Sequence, residues 1–517
     1  MIQAVLWSAF WIVLLAIGGL SVWQIRRGNG ALLSARPALV AVAVLSMLLT
    51  LTALYIGYVA PLAIMQDIVA SRQALQGEPV PVEGLGPYAE AALEEEPVSP
   101  AIEDAWAPLA EEAQEELRSL PDNISEQAHP PFMTLFVAPF VSLFGVHGTF
   151  LAIFTLSVGS LIVSLTILAR ALGVSLSASQ KTLVAFAFLG WMPMWWVLRA
   201  GQWDALLSGL IVVAWYCIRR QRPVWGGVAI GVATSLKIVP GLLLVYFLIR
   251  HRRAFVAGVC TIVVLNLIAV ALFGRDFYLQ YMQAMHVVFD RHSGSDLNWS
   301  LLGALHRIYD VIGIPALSFM TSKPVFVSLA SAVVAALCAI VLSRRGRPST
   351  PARYDLEYSL FVAAMVLLSP LSWFHYSVML LLPLSVLAKE VFAKDGELDE
   401  VSLRSAGKYF AIFAVLAIPP AFVGYAADGI ETLSWRIGDA LFLVPSLTLA
   451  SIVAWIATLA VRMHGEDSLV LPLRTESLPA PYEPERGLVA DAMSESGRQP
   501  RSFPHELPAS NAVSNLR

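Results

Sequence analysis

An all-α polytopic membrane protein is the architecture that this chain's composition dictates. Hydrophobic residues make up 57% of its 517 positions and charged residues only 14%, against about 25% charged in soluble domains. Mean hydropathy is +0.68. Apolar runs recur that approach or exceed the roughly 18 residues needed to cross a bilayer. A cytosolic enzyme and a nucleic-acid reader are thereby excluded.

The first run, residues 2–23, lacks the basic leader and small-residue cleavage site of a secretory signal, so it reads as a helix. Basic clusters at Arg26/Arg27, Arg219/Arg220/Arg222, Arg250/Arg252/Arg253 and Arg344/Arg345/Arg347 close one set of gaps between apolar runs. Those gaps are expected to be cytoplasmic. With the N-terminus outside and the C-terminus inside, helices near 2–24, 38–60, 149–171, 182–199, 204–218, 224–238, 239–250, 254–273, 324–343, 357–371, 374–388, 408–425 and 438–462 alternate consistently. This gives about 11–13 transmembrane or membrane-dipping helices.

Several of these are too short for roughly 30 Å of hydrocarbon at about 1.5 Å per residue. The pairs around Pro240 and Trp373 read as broken or dipping hairpins. Non-helical backbone at membrane depth survives only when buried in protein or lining a wet cavity. An internal cavity opening outward is therefore expected.

The domain plan follows from the same runs: an added N-terminal helix and basic loop (1–36), a membrane domain (37–462) and a disordered cytoplasmic tail rich in Pro, Ser and Glu (463–517). Net charge is −4, yet the stretch between Gln66 and Pro130 holds fifteen acids and two bases, leaving 32 basic and 23 acidic residues elsewhere. It belongs to a long acidic outside loop, 66–131. Most of its glutamates read as a solvated face. Cys217, Cys260 and Cys338 all fall inside apolar runs, so neither a disulfide framework nor a thiolate metal site is encoded. No internal repeat is visible, which disfavours transporters built from duplicated halves.

Polar groups within or at the ends of apolar runs are the candidates for function, because they are costly there. Asp67 directly follows the second helix at its outer boundary, although a helix-end aspartate in water explains it equally. His129-Pro130-Pro131 opens an apolar run; prolines suit a helix start, and a functional reading puts His129 at the cavity mouth. Arg199-Ala200-Gly201-Gln202-Trp203-Asp204 makes a tight turn whose Arg, Gln and Asp suit a phosphate or sugar hydroxyl, though an interfacial turn with a Trp anchor explains most of it. Lys237, far from the basic clusters, must snorkel, pair with an acid or meet an anionic ligand. Asn298-Trp299-Ser300 also matches a common glycosylation acceptor pattern. Ser369-Pro370-Leu371-Ser372-Trp373-Phe374-His375-Tyr376 interrupts a hydrophobic hairpin with more polar groups than a plain turn needs.

No phosphate-binding loop, His-Glu-x-x-His pair or Gly-x-Ser-x-Gly elbow occurs. No Asp-x-Asp occurs either, so no metal site and no cofactor are expected.

In order, the chain presents Asp67, Gln76-Gly77-Glu78-Pro79, His-Pro-Pro, Gly201-Gln202, Lys237-x-x-Pro240, Asn298-Trp299-Ser300 and Ser369-Pro370-x-Ser372-Trp373-x-His375-Tyr376. This set resembles glycosyltransferase family 87, the polyprenyl-phosphate-mannose-dependent mannosyltransferases of the GT-C superfamily, which include phosphatidylinositol mannosyltransferases. The likeness runs from about residue 40 to 390, and its most specific parts are Gly201-Gln202, Gly226-Gly227 through Pro240, and Ser369 through Tyr376. The first helix and the length of the acidic insertion depart from the family's pattern.

The resemblance implies a GT-C-type helical bundle in a cell membrane, with its active site on the extracytoplasmic side. It further implies transfer of a sugar, mannose, from a polyprenyl-phosphate donor to a glycolipid or glycan hydroxyl with inversion, Asp67 acting as general base. Lys237, His375, Arg199, Gln202, Trp373 and Tyr376 would then bind donor phosphate or sugar. His129, Asn298 and Ser300 would line the cavity or meet the acceptor. The competing readings are a lipid-linked sugar flippase or transporter, and a catalytically silent scaffold. Membrane lipids are expected partners and nucleic acid is not.

Overall fold

The computed structural model describes residues 36–59, 62–76, 129–174, 178–343, 350–392, 400–416, 418 and 435–469. The expected first helix, residues 77–128 of the acidic loop and most of the expected tail lie outside the described residues. Residues 1–463 form one compact unit and 464–517 a second.

The described residues form sixteen α-helices and three short 3-10 segments. In order, α1 is Arg36–Val59, α2 Leu62–Gln76, α3 Pro131–Ala171, α4 Ala178–Leu189, α5 Met192–Ala200, α6 Asp204–Arg219, α7 Pro223–Leu236 and α8 Leu243–Arg250. They are followed by α9 Arg252–Phe273, α10 Arg275–His292, α11 Leu301–Ile312, α12 Lys323–Leu342, α13 Pro351–Leu368, α14 Leu381–Phe392, α15 Glu400–Leu416 and α16 Trp435–Leu469. The 3-10 segments are Val239–Leu242, Pro315–Thr321 and Phe374–Leu380. Six helical segments among the described residues are long and apolar enough to cross a membrane, or seven if the bent pair α5 and α6 counts as one. The protein is an all-α polytopic membrane protein.

Several boundaries differ from the sequence expectation, each for a local reason. The helix expected over 182–199 is two, α4 and α5, because Pro193 occupies the first turn of α5 and would remove a hydrogen bond from a continuous helix. The helix expected to begin at 149 begins at Pro131 and carries a break at Gly145, whose φ of 63° is available to glycine without strain. The acidic loop's first eleven residues are helical, as part of α2. The segment between α9 and α12, expected outside the membrane, holds α10 and α11.

The interior helix is α13. Every residue from Tyr354 to Leu368 is buried, the pattern of a helix enclosed on all sides. Around it, α6 packs on α3 and α7, α2 on α3, α1 on α4 and α5, and α7 closely on α9. The segment 374–380 packs on both α5 and α6. Apolar side chains such as Leu267 on α9 and Val327 on α12 remain exposed, as expected where lipid is the solvent.

Candidate active site

The site is built around the bend between α5 and α6. The two helix axes turn by 118° across Gly201–Trp203. Gly201 ends α5 at φ 68°, and a side chain there would crowd Ile64 of α2, 3.2 Å from an added Cβ. The turn is thus pressed against the helix that carries Asp67, which lies three residues beyond Ile64 and so on nearly the same face.

Asp67 lies in the second turn of α2, not in a loop after a helix, and is 1% exposed. Its carboxylate faces His129, whose Nδ1 is 2.9 Å from Oδ1 and 3.2 Å from Oδ2. Trp203 donates its indole N–H to Oδ2 at 3.0 Å. His129 immediately precedes the Pro130-Pro131 start of α3 and is itself buried. The helix-start reading and the placement beside Asp67 therefore hold together.

Asp204 opens α6 and is fully buried. Lys237 Nζ donates to its Oδ1 at 3.0 Å, and His375 Nε2 stands 3.5 Å from Oδ2. Lys237 caps the end of α7 in extended conformation, and its ammonium lies 4.0 Å over the Tyr376 ring, a cation–π contact. Of the three fates open to a lysine at this depth, the structure shows pairing with an acid. Asp67, His129 and Trp203 thus form one polar cluster, and Asp204, Lys237, His375 and Tyr376 a second, joined through the adjacent residues Trp203 and Asp204.

The expected wet cavity is not open at this cluster: Asp67, Asp204, Lys237 and His375 are all at most 6% exposed. Helix packing closes the polar groups in, and the charges are met by one another. A small apolar cavity lies elsewhere, lined by Leu161, Ser164, Phe188, Trp191, Met194 and Val378 among others.

The remaining expected residues are placed differently. Arg199 lies over the rings of Trp195 and Trp196 at 5.8 and 5.0 Å. Gln202 is half-buried in the bend. Trp373 is half-buried, meets His292 edge-on and pairs with Asn298 in an isolated antiparallel bridge. Asn298 is occupied with backbone: Nδ2 donates to Ser293 O and Pro370 O, each at 3.0 Å, and Oδ1 accepts from the Ser300 and Ser372 N–H groups. Ser300 caps α11 through Gly303 and donates to Pro370 O. With their hydrogen-bonding groups so used, Asn298 and Ser300 tie the segment before α11 to the one leading into His375.

Sequence reasoning did not single out the second polar group of the bundle. Asp355 accepts from Arg219 at 2.7 Å and from the Trp215 indole at 3.0 Å. Glu357 accepts from Arg250 Nε at 3.0 Å and Nη2 at 2.9 Å. Arg307, buried, donates to four backbone carbonyls, including Phe442 O and Asn298 O. Acids within the apolar run after Tyr354 were the available signal.

The sequence model of glycosyltransferase family 87 matches residues 128–370, a segment that contains His129, Trp203, Asp204, Lys237 and Asn298. Through this segment the chain is similar to glycosyltransferase family 87. Asp67, Trp373, His375 and Tyr376 lie outside the matched family 87 segment. The chain is also similar to a polyprenol-phosphate-mannose-dependent alpha-(1-2)-phosphatidylinositol mannoside mannosyltransferase of Mycobacterium tuberculosis, 31% identical over 111 residues. That alignment covers 21% of this chain and 25% of the relative. No solved structure matches the chain.

Proposed function

We propose that this protein is a membrane glycosyltransferase that moves mannose from a polyprenyl-phosphate donor to a hydroxyl of a glycolipid or glycan, at the extracytoplasmic face and with inversion. One observation carries the reading: a buried carboxylate, Asp67, is held by His129 and Trp203 beside a second cluster that contains Lys237 and His375. The similarity to family 87 and the polyprenol-phosphate-mannose donor of the mycobacterial relative support the choice of donor. The arginine clusters support the choice of face.

A sugar hydroxyl is a poor nucleophile, so a base must take its proton as the anomeric carbon becomes oxocarbenium-like. A carboxylate offers about four lone-pair positions; the contacts from His129 and Trp203 leave one for an acceptor hydroxyl. The indole N–H cannot give up its proton to Asp67, so it orients the base without quenching it. As the acceptor oxygen bonds to the anomeric carbon, the bond from that carbon to the phosphate oxygen breaks. Its electron pair stays on phosphate, and the hydroxyl proton passes to Asp67. Lys237 and His375 meet the growing phosphate charge, and Tyr376 packs against them.

Purified protein in liposomes, given labelled polyprenyl phosphomannose and candidate glycolipid acceptors, tests this. Mannosylated acceptor is the expected product, with Asp67→Asn slower by about 100-fold or more. Passage of the donor across the bilayer without bond formation would instead support the flippase. Near wild-type transfer by Asp67→Asn would remove the base assignment.

A further inference from the structure

We propose that Asp204 is a positioning residue that competes with the donor phosphate for Lys237, so that the lysine is given up to phosphate chiefly as the leaving group gains charge. The proposal rests on the donor reading above and goes beyond it in assigning a role to the acid of the second cluster.

The geometry is that of a counter-charge held in reserve. Asp204 is fully buried, and its Oδ1 takes the hydrogen bond from Lys237 at 3.0 Å. Its Oδ2 has no hydrogen-bond partner among the described residues, and His375 Nε2 stands 3.5 Å away from it. His375 Nδ1 is likewise buried and without a partner among the described residues. Buried polar atoms are rarely left so, and an unpartnered carboxylate oxygen within the ion pair itself marks a place where a further polar group belongs.

A phosphodiester donor carries one negative charge, while the released polyprenyl phosphate, a monoester, carries about −1.5 to −2. Against the donor, Asp204 is an even competitor for Lys237. Against the departing phosphate it is outmatched. The lysine–phosphate interaction is therefore stronger in the transition state than in the ground state, which is the condition for raising kcat and not merely lowering KM. A lysine without Asp204 would hold donor and product tightly from the start.

The test compares wild type, Asp204→Asn, Asp204→Glu, Lys237→Met and the Asp204→Asn/Lys237→Met pair, reading donor KM, kcat and direct binding of polyprenyl phosphate. Asp204→Asn is expected to lower kcat by about tenfold or more while KM falls or stays level, and to bind polyprenyl phosphate more tightly. Asp204→Glu should restore much of the rate. A kcat equal to wild type, or a fall in kcat accompanied by weaker binding, overturns the proposal. Should Asp204→Asn not accumulate as folded protein, Lys237→Met and the pair decide: similar polyprenyl phosphate affinity is expected, and a further tenfold change on adding Asp204→Asn would count against action through Lys237. If the wild type transfers no sugar at all, the function proposed above fails. The binding arm still judges Asp204, since tighter binding by Asp204→Asn supports it and unchanged or weaker binding rejects it.

Discussion

Trp203 donates its indole N–H to Asp67 Oδ2 at 3.0 Å, and the very next residue, Asp204, accepts from Lys237. A single dipeptide at the start of α6 therefore couples the two polar clusters. A shift of this bend moves both the proposed base and the proposed phosphate-binding group. Trp203 also meets Phe136 of α3 edge-on at 5.5 Å, so its ring is packed as well as hydrogen-bonded.

Trp203→Phe separates these roles. The substitution keeps an aromatic ring and removes the donor, leaving the buried carboxylate short of one partner at a cost of about 1–3 kcal/mol. Sugar transfer should fall by about ten- to a hundredfold, with donor KM changed much less. Steady-state kinetics in proteoliposomes check this. A variant with wild-type kcat would mean that His129 alone suffices to orient Asp67.

Asn298→Ala addresses the tie between the two loops. The amide closes two donor and two acceptor bonds across Ser293, Ser300, Pro370 and Ser372. Its loss leaves buried backbone groups unpaired, each costing about 1–3 kcal/mol. The thermal unfolding midpoint in detergent should drop, and donor affinity should weaken because the freed strand leads directly into Trp373 and His375. A large fall in stability with unaltered donor affinity would show that the tie serves the fold alone.

The sequence made the membrane class readable because apolar composition and run length are properties of the chain itself. The break at Pro240 was readable for the same reason, since proline acts locally. The bend at Gly201 was readable as a turn, but its 118° sharpness was not: it depends on α5 and α6 each being anchored elsewhere, α5 on α1 and α6 on α3 and α7. The site followed the same division. Asp67, His129, Lys237 and His375 stood out as polar residues in apolar surroundings. Their pairing did not, because the partners are 62 residues apart for Asp67 and His129 and 33 for Asp204 and Lys237. Asn298 was readable as unusual but not as a loop tie, since a saturated amide and a ligand-binding amide look alike until their neighbours are known.

Glu357 provides a test away from the site. It is fully buried and accepts from Arg250 twice and from Arg353 once, at 3.2 Å. Glu357→Leu strands a buried guanidinium, and breaking such a pair costs about 3–5 kcal/mol. Replacing both partners, Arg250→Met with Glu357→Leu, should recover part of that loss, because the Arg250 guanidinium is no longer left uncompensated inside the bundle, although Arg353 still loses its acceptor. Thermal unfolding of the two variants in one detergent distinguishes the cases. A double variant less stable than Glu357→Leu would show that Arg250 is worth more to acceptors such as the Val341 carbonyl at 2.7 Å than to Glu357.

Gly227 links packing to the site at longer range. It faces α9, where an added Cβ would collide with the Ala254 carbonyl and lie 2.9 Å from Ala257 Cβ. One turn further along α7, a Cβ at Gly231 would lie 2.7 Å from the Gly258 carbonyl. Small residues that let two backbones approach are the usual means of joining helices in lipid, where no hydrophobic force favours helix over acyl chain. Gly227→Val must push α7 off α9, and overpacking of this kind costs about 1–3 kcal/mol. Since α7 ends at Lys237, the displacement should also lengthen the 3.0 Å contact with Asp204 and weaken donor binding. Binding measured on folded, membrane-extracted Gly227→Val decides the point: unchanged affinity would mean that Asp204 and Tyr376 hold Lys237 in place independently of the helix that carries it.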